Sequence, residues 1–182
     1  MGKPFTAINE SARRFIESQR IFFVASAPLS REGHVNLSPK GQDTFRILGE
    51  TTVAYLDLTG SGIETVSHLR ENARITLMFC SFEGPPKILR IYGRGRAVQA
   101  ADTEFATLLA HFPEHVGTRS IVVVEIRRIA DSCGYSIPLF RYEGDRNQLT
   151  SWATKRGPEG LAKYRDENNR NSIDGLAGLR TE

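Results

Sequence analysis

The chain has 182 residues, 40% of them hydrophobic and 25% charged. That is ordinary globular composition, long enough for a buried core, and it excludes disorder over the whole length. A formal net charge of +3 leaves room for an anionic ligand but argues against a nucleic-acid binder, which clusters a larger excess.

The start, Met1–Phe5, lacks the apolar stretch of a signal peptide. Thr6 completes a myristoylation pattern on paper, but Pro4 lies inside it and the pattern is set aside. No apolar run reaches membrane-span length, so no membrane partner is expected. Cys80 sits in an apolar run and reads as a small buried hydrophobe, while Cys133 sits near a strand end. Two cysteines without a CxxC spacing exclude a disulfide framework and predict a reducing, cytoplasmic setting.

The spacing of Ile8, Ala12, Phe15 and Ile16 predicts a helix over residues 9–19, with Asn9 as its N-cap. The aromatic and branched run 21–26 predicts a buried strand. A second strand follows over 34–40, with His34, Asn36, Ser38 and Lys40 on a polar face and Val35, Leu37 and Pro39 on the other. Residues 52–58 form a third strand, closed by Thr59-Gly60-Ser61-Gly62, and a helix starts at Ser61 with Ile63, Val66 and Leu69 inside. A fourth strand covers 75–82 and a long fifth 88–99, separated by Gly84-Pro85-Pro86. Asp102 caps a helix whose stripe is Phe105, Leu108, Leu109 and Phe112, ended by Pro113, and a sixth strand spans 120–129. Six strands joined mostly by short turns do not alternate with helices as a doubly wound sheet requires; a small barrel with peripheral helices fits. Residues 141–182 read as an arm, with a short helix around Leu149, Trp152 and Ala153 and another begun by Pro158.

Three segments carry possible chemistry. Ser61 and Glu64 form an S-x-x-E capping box in Gly60-Ser61-Gly62-Ile63-Glu64-Thr65; the same glycine-flanked helix start is also a natural anion site. Arg90, Tyr92, Arg94 and Arg96 share one face of the fifth strand, either to grip a phosphate or as a solvated outer face. Gly93 and Gly95 on the other face suggest a bend or a close backbone approach. Asn36-Leu37-Ser38-Pro39-Lys40-Gly41 offers backbone groups and one cation at a barrel rim, or is an ordinary strand end. His111 and His115 flank Pro113, which breaks the helix a metal pair would need, so no metal is expected. A third dinucleotide-fingerprint glycine, a Walker lysine and a G-x-S-x-G elbow are all missing.

In order and spacing, Val35–Gly41, Thr52–Asp57, Gly60–Leu69, Glu71–Phe79 and Leu89–Gly95 resemble the FMN-binding split-barrel family of pyridoxamine 5′-phosphate oxidase-like proteins, over roughly residues 9–135. The resemblance implies a mainly β, six-stranded split barrel, residues 1–140, that dimerises with two FMN sites between subunits. It implies that Ser38, Pro39 and Lys40 line the isoalloxazine ring, with Asn36 in the same set, and that Lys40 steadies negative charge near N1 and C2. Ser61, Glu64 and Thr65 would hold the phosphate end, although a carboxylate repels phosphate and Glu64 could serve only as a cap. Arg90 matches a polar position near the flavin.

The tail Ser172–Leu176 looks like the ending of one branch of this family and, with Trp152, would cover the flavin or the partner. The family's B6 oxidase proper has an Arg-x-His element near its C-terminus; none occurs in residues 136–182, and the helix after the fifth strand lacks the Tyr and Arg that hold substrate phosphate. B6 oxidation is therefore not expected. The leading expectation is an FMN-dependent oxidoreductase moving a hydride through flavin N5 from a small-molecule or nicotinamide donor, with no catalytic side chain assigned. The alternative is a non-catalytic module for FMN, haem or a deazaflavin. Nucleic-acid binding by Arg90, Arg94 and Arg96 is disfavoured by the low net charge and the lack of interleaved aromatics.

Overall fold

A computed structural model describes residues 4–180. Residues 1–3 of the myristoylation-like start, and the last two residues of the arm, lie outside the described residues. One antiparallel sheet of seven strands dominates, in the order β2-β1-β5-β6-β7-β4-β3. These are β1 (Phe22–Ser26), β2 (Asn36–Lys40), β3 (Phe45–Ile47), β4 (Thr52–Leu58), β5 (Arg74–Cys80), β6 (Ile88–Val98) and β7 (Thr118–Ser132). The count exceeds the expected six by β3, which consists of three residues and exists by pairing Phe45 with Tyr55 and Ile47 with Val53.

The sheet curls until its ends meet. On β1, Phe22, Val24 and Ser26 turn inward, and their cross-strand partners Lys40, Ser38 and Asn36 share that face. Phe45 of the far edge strand lies edge-on against Phe22 at 5.2 Å and against Phe79 of β5 at 5.0 Å, and Phe22 meets Tyr55 of β4 at 5.5 Å. Such edge-to-face contacts add about 0.5–1.5 kcal/mol each beyond burial. The result is a half-barrel whose aromatic seam joins strands far apart in sheet order.

β4 and the first half of β7 are buried on both faces, which explains the apolar runs 53–56 and 121–124. Their inner side joins the main core with Leu77, Leu89 and Ile91. Their outer side is covered through Phe112 and the short helix α3 (Phe105–Leu109). Asp102 does not cap α3; its carboxylate accepts from the Gln99 N–H at 2.8 Å and so closes the preceding turn. Helix α1 (Glu10–Glu17) starts as its sequence predicts, with Asn9 Oδ1 accepting from the Ala12 N–H at 2.9 Å, and sends Ala12 and Ile16 into the core. The two β6 glycines are close-approach positions. A Cβ on Gly93 would lie 2.5 Å from the Glu125 carbonyl oxygen at the β6–β7 bulge, and one on Gly95 would lie 2.9 Å from Leu69 of helix α2 (Glu64–Asn72).

Residues 148–168 form two helical stretches broken at Gly157, with Pro158 opening the second. Trp152 and Tyr164 meet edge-on at 5.0 Å with Arg156 over both rings, a small apolar cluster belonging to the arm. Beyond it, Asn169 is fully buried against the barrel. No described helix is long and apolar enough to cross a membrane.

The buried ion pair Arg119–Asp57 joins β7 to β4, and Arg119 also reaches the arm, donating to Asn169 Oδ1 at 3.0 Å. Arg119 Nε donates to Asp57 Oδ2 at 2.7 Å, and Lys40 Nζ, from the opposite end of the sheet, reaches Asp57 Oδ1 at 3.3 Å. Burial by itself would raise the Asp57 pKa; the charges of Arg119 and then Lys40 more than offset this and hold it at about 2. The folded carboxyl thus ionises more readily than the unfolded one. Its stabilisation, about 2 kcal/mol, is complete above about pH 4 and is lost as pH falls through about 2. Urea unfolding across that range is expected to show this acid limb, flattened in Asp57→Asn. Arg119→Leu strands a buried carboxylate and is expected to cost about 3–5 kcal/mol; an unchanged urea midpoint would refute the assignment.

Candidate functional site

The β4–α2 loop is shaped by what binds its carbonyls. Arg119 Nη1 donates to the Gly60 oxygen at 2.9 Å and Nη2 to the Gly62 oxygen at 2.6 Å. Asn169 Nδ2 reaches the Gly60 and Ser61 oxygens at 2.9 and 3.2 Å. All three carbonyls therefore point into the protein. The N–H groups of the same three peptide units, those of Ser61, Gly62 and Ile63, have no partner among the described residues, and a Cβ on Gly60 would meet open space. Carbonyls in and amides out, ahead of a helix start, is the arrangement of an anion-binding loop.

Helix α2 begins at Glu64 rather than Ser61, with Ile63 at the cap and no side-chain capping bond. The capping box therefore does not form: with Arg119 and Asn169 holding the loop carbonyls, Ser61 stays three residues short of the helix and exposed. Glu64 instead ties down the tail, its Oε1 accepting from the Ile173 N–H at 3.3 Å. Thr65 is buried, and its Oγ1 accepts from Asn36 Nδ2 of β2 at 2.9 Å; Ser38 Oγ donates to Asn36 Oδ1 at 3.2 Å. One polar chain thus links the inner face of the edge strand to the first turn of α2. Lys40 continues that inner face toward Asp57.

The remaining positions lie elsewhere. Pro39 is on the outer face of β2, opposite Phe23. Arg90 is on the outer face of β6, three strands from β2, and donates to Ser132 Oγ at 3.2 Å. Arg96 pairs with Glu104, so the arginine face of β6 does not converge on one point.

The tail wraps the other side of α2. Ser67 Oγ donates to the Leu176 oxygen at 3.3 Å, and Arg70 Nη1 donates to the Gly178 oxygen. Asp174 accepts from the His34 N–H at 2.8 Å and faces His34 Nδ1 at 2.7 Å, bonds that hold its carboxyl below the ordinary range. His68 of α2 is fully enclosed, with Nδ1 on Ser26 Oγ at 2.9 Å, and burial lowers its pKa.

Arg119, Asp57 and Asn169 escaped the sequence reading. A signal existed for one of them: Asp57 is a charge in the apolar strand TVAYLDL, and a buried carboxylate requires a cationic partner.

The family model for pyridoxamine 5′-phosphate oxidase matches residues 8–133. A pyridoxamine 5′-phosphate oxidase family protein of Aspergillus flavus, ustO, is 34% identical over 97% of this chain and 78% of its own length. The chain belongs to the pyridoxamine 5′-phosphate oxidase family. Among solved structures, HupZ of Group A Streptococcus superposes with a TM-score of 0.53 at 17% identity, covering 74% of this chain and 99% of HupZ. A Lactobacillus delbrueckii protein named for pyridoxamine 5′-phosphate oxidase gives 0.52 at 15% identity, covering 69% of this chain and 95% of its own. These two likenesses bear on the fold, which is the family's split barrel with one further short edge strand.

In this family member the Asn36–Thr65 bond couples β2 to α2 and can be tested directly. Thr65→Val is expected to cost about 1 kcal/mol in urea unfolding, and the double variant with Asn36→Ala less than the sum of the two singles. Strict additivity would mean that the bond contributes nothing.

Proposed function

We propose that the protein binds FMN at the β4–α2 loop and along β2, works as a homodimer, and is an FMN-dependent oxidoreductase. The observation that carries this reading is the loop itself: three carbonyls turned inward on Arg119 and Asn169, three amides left outward before a helix start. Family membership makes a phosphorylated flavin the anion of choice.

The residues fit such a group in kind. The Ser61, Gly62 and Ile63 amides and the Ser61 and Thr65 hydroxyls supply donors for a phosphate. Glu64 is held by the tail and, as a carboxylate, limits how many of the first-turn amides a phosphate can use. Ser38, Pro39 and Lys40 present a strand for the ring, and Asn36 positions Thr65. Lys40, fixed by Asp57, supplies a positive charge beneath that strand. Arg90 stands outside this group in one subunit, so any part it has is played toward a partner's site.

Bound flavin supplies hydride transfer at N5, from a small-molecule or nicotinamide donor; the chain contributes binding, orientation and charge. The homodimer reading rests on β2. It is an edge strand, its outward side chains are apolar, and Val35 and Leu37 are 74% and 63% exposed. An open apolar edge is a pairing surface that single-chain proteins avoid. A second copy would cover it.

Freshly purified protein is expected to be yellow and to release a ligand of FMN mass on denaturation. Ser61→Pro removes one outward loop amide together with its hydroxyl, and Ser61→Asp adds a repelling charge; each is expected to lower flavin retention at least about tenfold, the effect of about 1.4 kcal/mol. Colourless protein reconstituting equally poorly with FMN in wild type and variants would sink the reading. Leu37→Asp is expected to shift the species seen by light scattering from dimer to monomer. A wild type that is monomeric at all concentrations would remove the homodimer. Oxidation of NADH or NADPH with an electron acceptor separates an enzyme from a flavin-holding module.

A further inference from the structure

Glu64 opens α2, just past the last glycine of the loop. An acid in the first turn is ordinarily favourable, because it faces the positive end of the helix. This one does not extend into water. Its side chain is half-buried and folds back over the loop: a Cβ on Gly62 would lie 2.7 Å from Glu64 Oε2. The missing side chain of Gly62 leaves the room in which the carboxylate sits.

The tail holds that carboxylate, and the loop does not. Oε1 accepts from the Ile173 N–H at 3.3 Å. None of the Ser61, Gly62 and Ile63 amides donates to it, and it has no ion-pair partner among the described residues. The other acid of this corner, Asp174, is paired with His34 and accepts its N–H. An unpaired carboxylate therefore lies beside unbonded amides at the place where an anion would enter. The tail is itself fixed to α2, by Ser67 on the Leu176 oxygen and Arg70 on the Gly178 oxygen, so Ile173 presents its N–H from a defined position. Only the far end of the Glu64 side chain touches the loop, and it can leave by a rotamer change without moving backbone.

We propose that Glu64 is a charge gate on the anion loop, held shut by the C-terminal tail, which weakens a phosphorylated ligand relative to its unphosphorylated form. The anionic end enters as the carboxylate swings out, and the bond to the Ile173 N–H opposes that swing. The repulsion acts on a phosphate and not on a neutral ring, so Glu64 sets how much the phosphate adds to binding. The identity of the ligand rests on the flavin reading; the action of Glu64 on an anion at the loop does not.

The test follows quenching of flavin fluorescence as the purified full chain, cleared of flavin, is titrated with FMN and with riboflavin. Glu64→Gln keeps an acceptor for the Ile173 N–H and removes the charge. It is expected to bind FMN at least about tenfold more tightly than wild type, about 1.4 kcal/mol, with riboflavin changed less than about twofold. Ile173→Pro removes the tail donor and keeps the charge. It is expected to raise FMN affinity by less, and the two changes combined to give no more than Glu64→Gln alone. Glu64 is not deeply buried and Ile173 is 70% exposed, so both variants are expected to fold, which their urea midpoints check. A wild-type ratio of FMN to riboflavin affinity in Glu64→Gln overturns the gate, and the same ratio in Ile173→Pro overturns the tail's hold on it. Inorganic pyrophosphate separates the gate from the flavin reading. Where neither flavin binds any variant, a thermal midpoint that pyrophosphate raises more in Glu64→Gln than in wild type upholds the gate and removes FMN; equal shifts overturn both.

Discussion

Arg119 makes five hydrogen bonds, one for each N–H of its guanidinium: two to Asp57, one each to the Gly60 and Gly62 oxygens, and one to Asn169. A charge this deeply buried is tolerated only when fully partnered, so the surroundings are arranged around it. The Asp57 carboxylate must sit on β4 beneath it, and Lys40 from the far end of the sheet completes the charge balance. The arm must return Asn169 to the same place. Sheet closure, the seating of the arm and the direction of the loop carbonyls follow from the same side chain.

The consequence for function lies in the loop. Backbone carbonyls bound from below leave the amides of the same peptide units, those of Ser61, Gly62 and Ile63, facing the other way, because the two groups of a peptide unit point in opposite directions. The protein reaches an anion-accepting arrangement without a conspicuous cation at the surface of the site. This also explains the absent capping box: a loop held by Arg119 and Asn169 at Gly60 and Gly62 cannot let Ser61 wind into the first turn.

Strand β2 has two roles because its side chains alternate. Asn36, Ser38 and Lys40 face inward into the polar chain that meets α2 and Asp57; Leu37 and Pro39 face outward as an apolar strip, and exposed Val35 precedes the strand. The outward strip continues through Phe23, opposite Pro39, on the side where Phe140 stacks on Phe82. The inner face carries the polar groups, and the outer face is the surface that the proposed partner would cover.

Period-two and period-3.6 patterns are local, and they were legible in the residues. The two faces of β2, the Asn9 cap, the break before Pro158 and the close-approach glycines of β6 all follow from nearest neighbours. Three features were not legible, each because it depends on residues far apart in the chain. Strand β3 is three residues that become a strand only against β4. The true start of α2 depends on Arg119 and Asn169, 57 and 109 residues away from their loop acceptors. The chain after β7 folds back so that Phe140 bonds to Phe82 and Arg146 to Gln42. Local side-chain chemistry determined which segments are strands and helices and which faces are polar. The curl of the sheet, closed by a buried charge that only tertiary contacts can satisfy, decided which of those faces form a site.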